Sequence, residues 1–254
     1  MKKTRDLKEE FSLHQFYHQN TILTYAERYK KPVSFPVCPP KKMYPKLNKI
    51  YLSTNDNDTN NGNHITLRKA IKNRKSTRVY NKNNITLEQL STLLYYSYGV
   101  IHMDSDGIIR RPPASAGARY PIELYIVVNN VKDLRKGIYH YNAEEHALCE
   151  LPNKQYSVSD WALLSSGNEE IFEKSSFLIV MTSIFEKSIQ KYGERGYRYI
   201  LLDAGHIGQN LYLMSTDLEI GCVETGGYYE QEIERSIEID GVREGVIHLV
   251  AFGN

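Results

Sequence analysis

The sequence predicts an α+β protein in which a mixed sheet is flanked by helices, one of them long and central. Three observations lead to this. Segments of helical period and of strand period are interspersed without strict β–α–β alternation, which disfavours a doubly wound parallel sheet. Between positions 197 and 218, Leu201, Ala204, Gly208, Leu211, Ser215 and Leu218 recur at spacings of three and four, one face of a long helix. Phe177 to Met181 is an unbroken apolar run, the pattern of a strand covered on both sides. With 254 residues, 41% of them hydrophobic, the chain can bury a sizeable core.

In chain order, the first 64 residues read as an arm and linker, and residues 65–254 as the core. Pro32, Pro36, Pro39, Pro40 and Pro45 forbid a long helix, because each removes a backbone donor and restricts the residue before it. Asn55 to His64 is polar and aperiodic, a linker. A short helix follows, with Leu67, Ala70 and Ile71 on one face and Arg74 and Lys75 at its negative end. Thr86 and Gln89 form a capping-box pair before a second helix striped by Leu87, Leu90, Leu93 and Leu94. Ile122–Val128 reads as a strand, and Gly137–Tyr141 with His146–Leu151 as a hairpin. A helix over Val158–Leu164, the strand from Phe177 to Thr182 and the long helix come next. A short strand near Ile220, a helix near Glu232–Ser236 and a strand over Val246–Phe252 complete the order.

Composition removes several classes of function. Thirty-two basic against thirty acidic residues leave a formal charge of +2, without the excess that a phosphate-backbone surface needs, so no nucleic-acid partner is expected. The first fifteen residues mix acids with bases and lack an apolar stretch, which argues against a secretory signal and for a cytoplasmic protein. No run approaches the roughly 18 apolar residues of a membrane span. Cys38, Cys149 and Cys222 are too scattered for a disulfide framework or a metal site, and the histidines show no ligand spacing. Twenty tyrosines beside one tryptophan reflect either a Lys-, Asn- and Ile-rich composition or a site that handles flat rings.

Four segments carry candidate chemistry. Arg74, Ser76 and Arg78 alternate in an extended stretch and so share a face, where two guanidinium groups and a hydroxyl suit a phosphate or a carbonyl edge. Ser115, Ala116 and Gly117 lie in a run of small residues that lets a planar ligand approach the main chain. Lys191 and Tyr192 are adjacent and can serve acid–base chemistry if the lysine is biased toward neutrality. Glu224 precedes Gly226 and Gly227, a flexible pair before a helix whose N-terminal amides suit an anion.

The order RKSTR, PASAGARYPIELY, GIYHY, KYGERGYRYILLDAGHIGQN and ETGGYY, closed by a strand ending at Gly253, resembles the SagB-type flavin-dependent dehydrogenases of the nitroreductase superfamily. The likeness runs from about Phe16 to Gly253. It implies a nitroreductase-like fold, an intertwined homodimer and FMN bound at the subunit interface. Arg74, Ser76 and Arg78 would contact the flavin phosphate, ribityl and ring, Ser115, Ala116 and Gly117 would lie along the flavin, and Gly226 and Gly227 would be beside it with Glu224. It further implies oxidation of thiazoline or oxazoline rings to thiazole or oxazole in a ribosomally made peptide, with Lys191 and Tyr192 as the catalytic pair and a cyclodehydratase complex as the setting. Dioxygen is the expected electron acceptor. Two departures stand out: Ala114 occupies a place where many relatives have proline, and the sequence stops at Asn254 without the basic C-terminal residues that some nitroreductases use on the phosphate, which puts more of that load on Arg74 and Arg78. The alternatives are another FMN oxidoreductase, acting on nitro compounds, quinones or other peptides, and a non-catalytic scaffold.

Overall fold

Period-two alternation divides the central strands between two cores. In β2 (Ile122–Val128), Ile122, Leu124, Ile126 and Val128 face one layer while Tyr125 and Val127 face the other. In β5 (Phe177–Ile184), Phe177, Ile179 and Met181 oppose Leu178 and Val180 in the same way. Both strands are therefore apolar on both sides, as the Phe177–Met181 run required. The computed structural model describes residues 12–23, 42–53, 64–80, 85–105, 107–152, 161, 164 and 166–254.

Seven strands form the main sheet. They are β1 (Lys49–Tyr51), β2, β3 (Gly137–Asn142), β4 (Ala147–Glu150), β5, β6 (Gly221–Thr225) and β7 (Glu244–Gly253), in the spatial order β1-β4-β3-β2-β5-β7-β6. On one face lie α3 (Leu87–Tyr98) and α6 (Gly196–Asp217), through Leu90, Leu93 and Leu94 and through Ile200, Ala204, Ile207 and Leu211. The opposite face is covered by α4 (Glu169–Lys174) and α7 (Glu230–Ser236), through Phe172 and Ile233. Each fully buried leucine, isoleucine or phenylalanine among them contributes roughly 1.5–3 kcal/mol of transfer free energy.

The architecture is α+β as expected, but the strand sense differs from the mixed sheet expected. Every neighbouring pair of the main sheet runs antiparallel. Among the described residues, parallel pairing occurs only between the two-residue strands Ile85–Thr86 and Val131–Lys132. Strand sense depends on the end of the sheet to which each connection returns, and residue patterning within a strand does not encode that.

Among the described residues, the predicted arm contributes a strand and a helix, and Tyr44 and Leu47 pack against the sheet. Lys49–Tyr51 adds an edge strand to β4, and α1 (Leu13–Asn20) turns inward only at Tyr17 and the following Thr21. The prolines from Pro32 to Pro40, Cys38, the polar run 55–63 and most of the predicted helix at 158–164 lie outside the described residues. Thr86 and Gln89 do form a reciprocal capping box at α3. Two apolar stripes sit differently from expectation. In α2 (Leu67–Asn73) only Ala70 is buried, with Leu67 and Ile71 outward, and on α6 the stripe starts at Ile200 while Leu201 is exposed. No described helix is long and apolar enough to cross a membrane, and no cluster of metal-ligating side chains occurs among the described residues.

Candidate active site along the central helix

The polar residues that interrupt α6 are the ones that hold the site. Asp203 is buried and accepts a hydrogen bond from Ser115 Oγ at 2.6 Å and another from the Ala116 amide. Burial pushes its carboxyl above the ordinary value, against the lowering effect of those two donors and of nearby His206. One turn on, His206 Nδ1 lies 3.0 Å from the Ala114 carbonyl oxygen. Two residues at i and i+3 thus pin the small-residue loop onto the helix.

That loop is strained. Gly117, Ala118 and Tyr120 all have positive φ, at 61°, 52° and 43°. For the non-glycine residues this costs roughly 1–2 kcal/mol each. Ser115 Oγ accepts from the Tyr120 amide at 2.9 Å, and the Ala118 amide donates to the Ser115 carbonyl at 3.1 Å. Arg111 completes the support: its guanidinium stacks 4.4 Å from the Tyr98 ring centroid and 5.2 Å from that of Tyr120, and its amide donates to Tyr120 Oη.

Lys191 and Tyr192 end α5 (Glu186–Tyr192) and meet this loop at Gly117. A Cβ placed on Gly117 would fall 2.5 Å from Lys191 Nζ and closer still to Tyr192 Oη. The absence of a side chain there is what lets an amine and a phenol converge on the loop backbone. Both residues are half-buried, and Lys191 Nζ sits 5.4 Å from the Tyr192 ring centroid. At the other end of α5, Lys187 is buried and paired with Glu123 at 2.7 Å; the other Glu123 oxygen lies 3.0 Å from His140 Nε2. Burial alone would raise the Glu123 carboxyl, but the His140 hydrogen bond and the Lys187 charge hold it down at about 2.

The basic segment is organised by Tyr212, about nine residues along α6 from Asp203 and so roughly 14 Å away at 1.5 Å per residue. Ser76 Oγ is 3.0 Å from Tyr212 Oη, Arg74 stacks on the Tyr212 ring at 4.9 Å, and the Glu224 amide donates to the same hydroxyl. Alternation in this stretch is as expected: Lys75, Thr77 and Val79 line a separate cavity of about 570 Å³ on the other side. Arg78 is exposed. The Glu224 carboxylate lies against Gly208, where a Cβ would collide with it, so a side chain from β6 packs directly on the α6 backbone.

The glycine pair fits its expected role less well. Gly226 borders open space, but the Gly227 amide donates to Thr225 Oγ1 at 3.2 Å and Gly227 packs on the Ser166 carbonyl. The following helix, α7, has seven residues with Glu230 and Glu232 in its first turn, so its positive end is already compensated by its own acids.

The structure therefore joins Ser115–Gly117 with Lys191 and Tyr192, and separately joins Arg74 and Ser76 with Glu224. Sequence reasoning missed Asp203, His206 and Tyr212, although the polar residues on an otherwise apolar helix were a visible signal. It also missed Arg111, whose aromatic partners are distant in sequence. Each cluster has chemistry of its own: Arg74 and Ser76 suit an anion, and the Ser115–Gly117 backbone suits a flat ring.

Comparison with known proteins shows the family. The chain is 33% identical over 175 residues to MJ1384 of Methanocaldococcus jannaschii, which carries a nitroreductase name; the match covers 69% of this chain and 85% of the relative. It is 29% identical over 163 residues to the microcin B17-processing protein McbC of Escherichia coli, covering 63% of this chain but only 58% of McbC. Among solved structures it superposes on a chain of the E. coli microcin synthetase McbBCD complex with truncated pro-MccB17 bound, with a TM-score of 0.60 and 23% identity over 94% of this chain and 86% of that one. Residues 71–254 match the nitroreductase family, and the chain belongs to that family.

Proposed function

We propose that the protein is a SagB-type, FMN-dependent dehydrogenase that oxidises thiazoline or oxazoline rings to thiazole or oxazole in a ribosomally made peptide. The observation that carries this reading is the convergence of Lys191 Nζ and Tyr192 Oη on the Gly117 backbone. A redox fold alone needs no acid–base pair at that loop, whereas removing two hydrogens from an azoline requires a proton to leave as well as a hydride. The likeness to McbC, a peptide-processing protein, supports the same reading.

In this reading Arg74 and Ser76, held by Tyr212, receive the FMN phosphate end, and the Ser115–Gly117 backbone lies along the ring. FMN bound there supplies the hydride acceptor. The chain's own residues do the rest. The strained loop, pinned by Asp203 and His206, fixes the height of the substrate ring, and Lys191 or Tyr192 accepts its proton. A second copy of the chain completes the site, for which exposed Leu67, Ile71, Leu201 and Leu202 offer apolar surface. A cyclodehydratase assembly is the proposed setting, as the likeness to a chain of the microcin synthetase complex suggests.

The decisive assay offers purified protein a cyclised azoline peptide with FMN and, separately, NAD(P)H with a nitroaromatic. Loss of two hydrogens from the peptide is the expected result. Rapid nicotinamide oxidation without that mass change would favour a nitro- or quinone reductase, the reading suggested by the broader match to MJ1384.

Gly117→Ala tests the convergence itself. Positive φ costs the alanine roughly 1–2 kcal/mol, a small fall in thermal midpoint. The atoms a Cβ would strike are the tips of two flexible side chains, so these move and the fold does not. Azole formation is expected to fall about tenfold or more, because displacement by about 1 Å is costly to an oriented group. Unchanged turnover in a folded, FMN-loaded variant would remove the convergence from the mechanism.

A further inference from the structure

The stretch after the catalytic pair, Glu194 to Tyr199, is dense in arginine and tyrosine, and the acid–base reading leaves it without a role. Two of its side chains, Arg195 and Tyr199, form a continuous path from the end of the N-terminal helix to Tyr192. α1 ends at Asn20, leaving its last carbonyls without helical donors and concentrating negative potential there. Two guanidinium groups meet that end. Arg198 donates to the His18 carbonyl at 2.8 Å and to Thr21 Oγ1 at 2.6 Å, and Arg195 donates to the Thr21 carbonyl at 2.7 Å. Arg195 has a second contact that Arg198 lacks: its Nε donates to Tyr199 Oη at 2.9 Å. The Tyr199 ring, in turn, packs edge-on against Tyr192, with centroids 4.9 Å apart and planes at 80°.

We propose that Arg195 and Tyr199 are positioning residues for Tyr192, with the Thr21 carbonyl at the end of α1 as their anchor. The Tyr192 ring pivots on two side-chain torsions, and its hydroxyl is useful only where it meets the Gly117 loop. An edge-to-face neighbour restricts that pivot. Tyr199 is itself held at its far end by a guanidinium forked between a phenol and a carbonyl, a geometry that a lysine cannot reproduce. Arg195 and Tyr199 are four residues apart and so share a face where α6 begins, which lets one anchor fix the other. This inference rests on Lys191 and Tyr192 being the acid–base pair.

The test uses the full chain loaded with FMN and a cyclised azoline peptide. Tyr199→Leu removes the ring edge and is expected to lower kcat about thirtyfold, with KM and FMN content unchanged and a displaced limb in the pH profile of kcat. Tyr199→Phe keeps the ring edge but loses the hydroxyl that Arg195 holds, so it is expected to recover only part of the loss, to about the tenfold deficit of an Arg195 variant. Arg195→Gln, at a half-buried position, is expected to lose about tenfold, and Arg198→Gln, which loosens α1 without touching Tyr199, less than about threefold. Equal losses in the two arginine variants would mean that only docking of α1 matters and would overturn the proposal. So would unaltered kcat in Tyr199→Leu, or in Arg195→Gln should the leucine variant fail to fold. Lys191→Ala and Tyr192→Phe run alongside: if both keep full activity, the acid–base reading falls, and with it the need for positioning.

Discussion

Replacing Lys191 by alanine is expected to lower azole formation by about two to three orders of magnitude while leaving FMN uptake intact. Positioned acid–base groups contribute about 10²- to 10⁴-fold. The two consequences separate because the groups that would bind and those that would react sit at different stations on α6. Arg74, Ser76 and Tyr212 form one cluster, and Lys191 meets the loop at the other, roughly 14 Å of helix away. Tyr192→Phe retains the ring that packs on Tyr199 and loses only the hydroxyl that meets Gly117. Comparing the two variants therefore assigns the proton. If Lys191 is the base, the phenylalanine variant keeps a measurable fraction of the rate, and if Tyr192 is the base, the order reverses. Initial rates by mass spectrometry, with flavin absorbance as the loading control, decide the matter. A Lys191→Ala protein with the parent rate removes the assignment.

Why so much of this site was legible, and some was not, follows from how each feature is encoded. The extended Arg74–Arg78 stretch follows period-two alternation for most of its length: Arg74 and Ser76 meet Tyr212 while Lys75, Thr77 and Val79 line a different cavity, and Arg78, expected with the first pair, is exposed. The capping box at Thr86 and the boundaries of β2 are local as well, and local chemistry set them. Contacts across the chain were not encoded that way. Tyr212 lies 138 positions from Arg74, and Asp203 lies 88 from Ser115; no spacing rule joins them. The tyrosine excess is the clearest case. Composition left it between bias and a site for flat rings, whereas several of these rings serve as platforms for arginine: Tyr212 for Arg74, Tyr98 and Tyr120 for Arg111, Tyr17 for Arg198. Only Arg195 with Tyr199, four apart on one helical face, could have been found by period alone. The outward Leu67 and Ile71 have a different origin, since apolar period shows which residues share a face and not whether that face meets this chain or another molecule.

Breaking the buried pair between Glu123 and Lys187 is expected to have the largest effect on stability. Lys187 is 7% exposed, so Glu123→Gln would strand its ammonium beside a neutral amide, and loss of one partner of a buried pair costs about 3–5 kcal/mol. Lys187→Met should cost less, because His140 still faces the remaining carboxylate. The double change Glu123→Leu with Lys187→Met should cost less than the two single losses added together, since it strands no charge. Acid supplies an independent check. Folding lowers the Glu123 carboxyl from near 4.5 to about 2, so its contribution is fully present above pH 4.5 and is lost as the pH falls toward 2. A shift of that size corresponds to about 3 kcal/mol, in line with the mutational figure. Denaturant unfolding at pH 7 should therefore separate the parent from Glu123→Gln by several kcal/mol, and at pH 3 by about half of that or less. An equal gap at both pH values would show that Glu123 acts through shape and packing alone. The pair also braces α5 one turn before Lys191, so where Glu123→Gln still folds, its kcat should fall together with its stability.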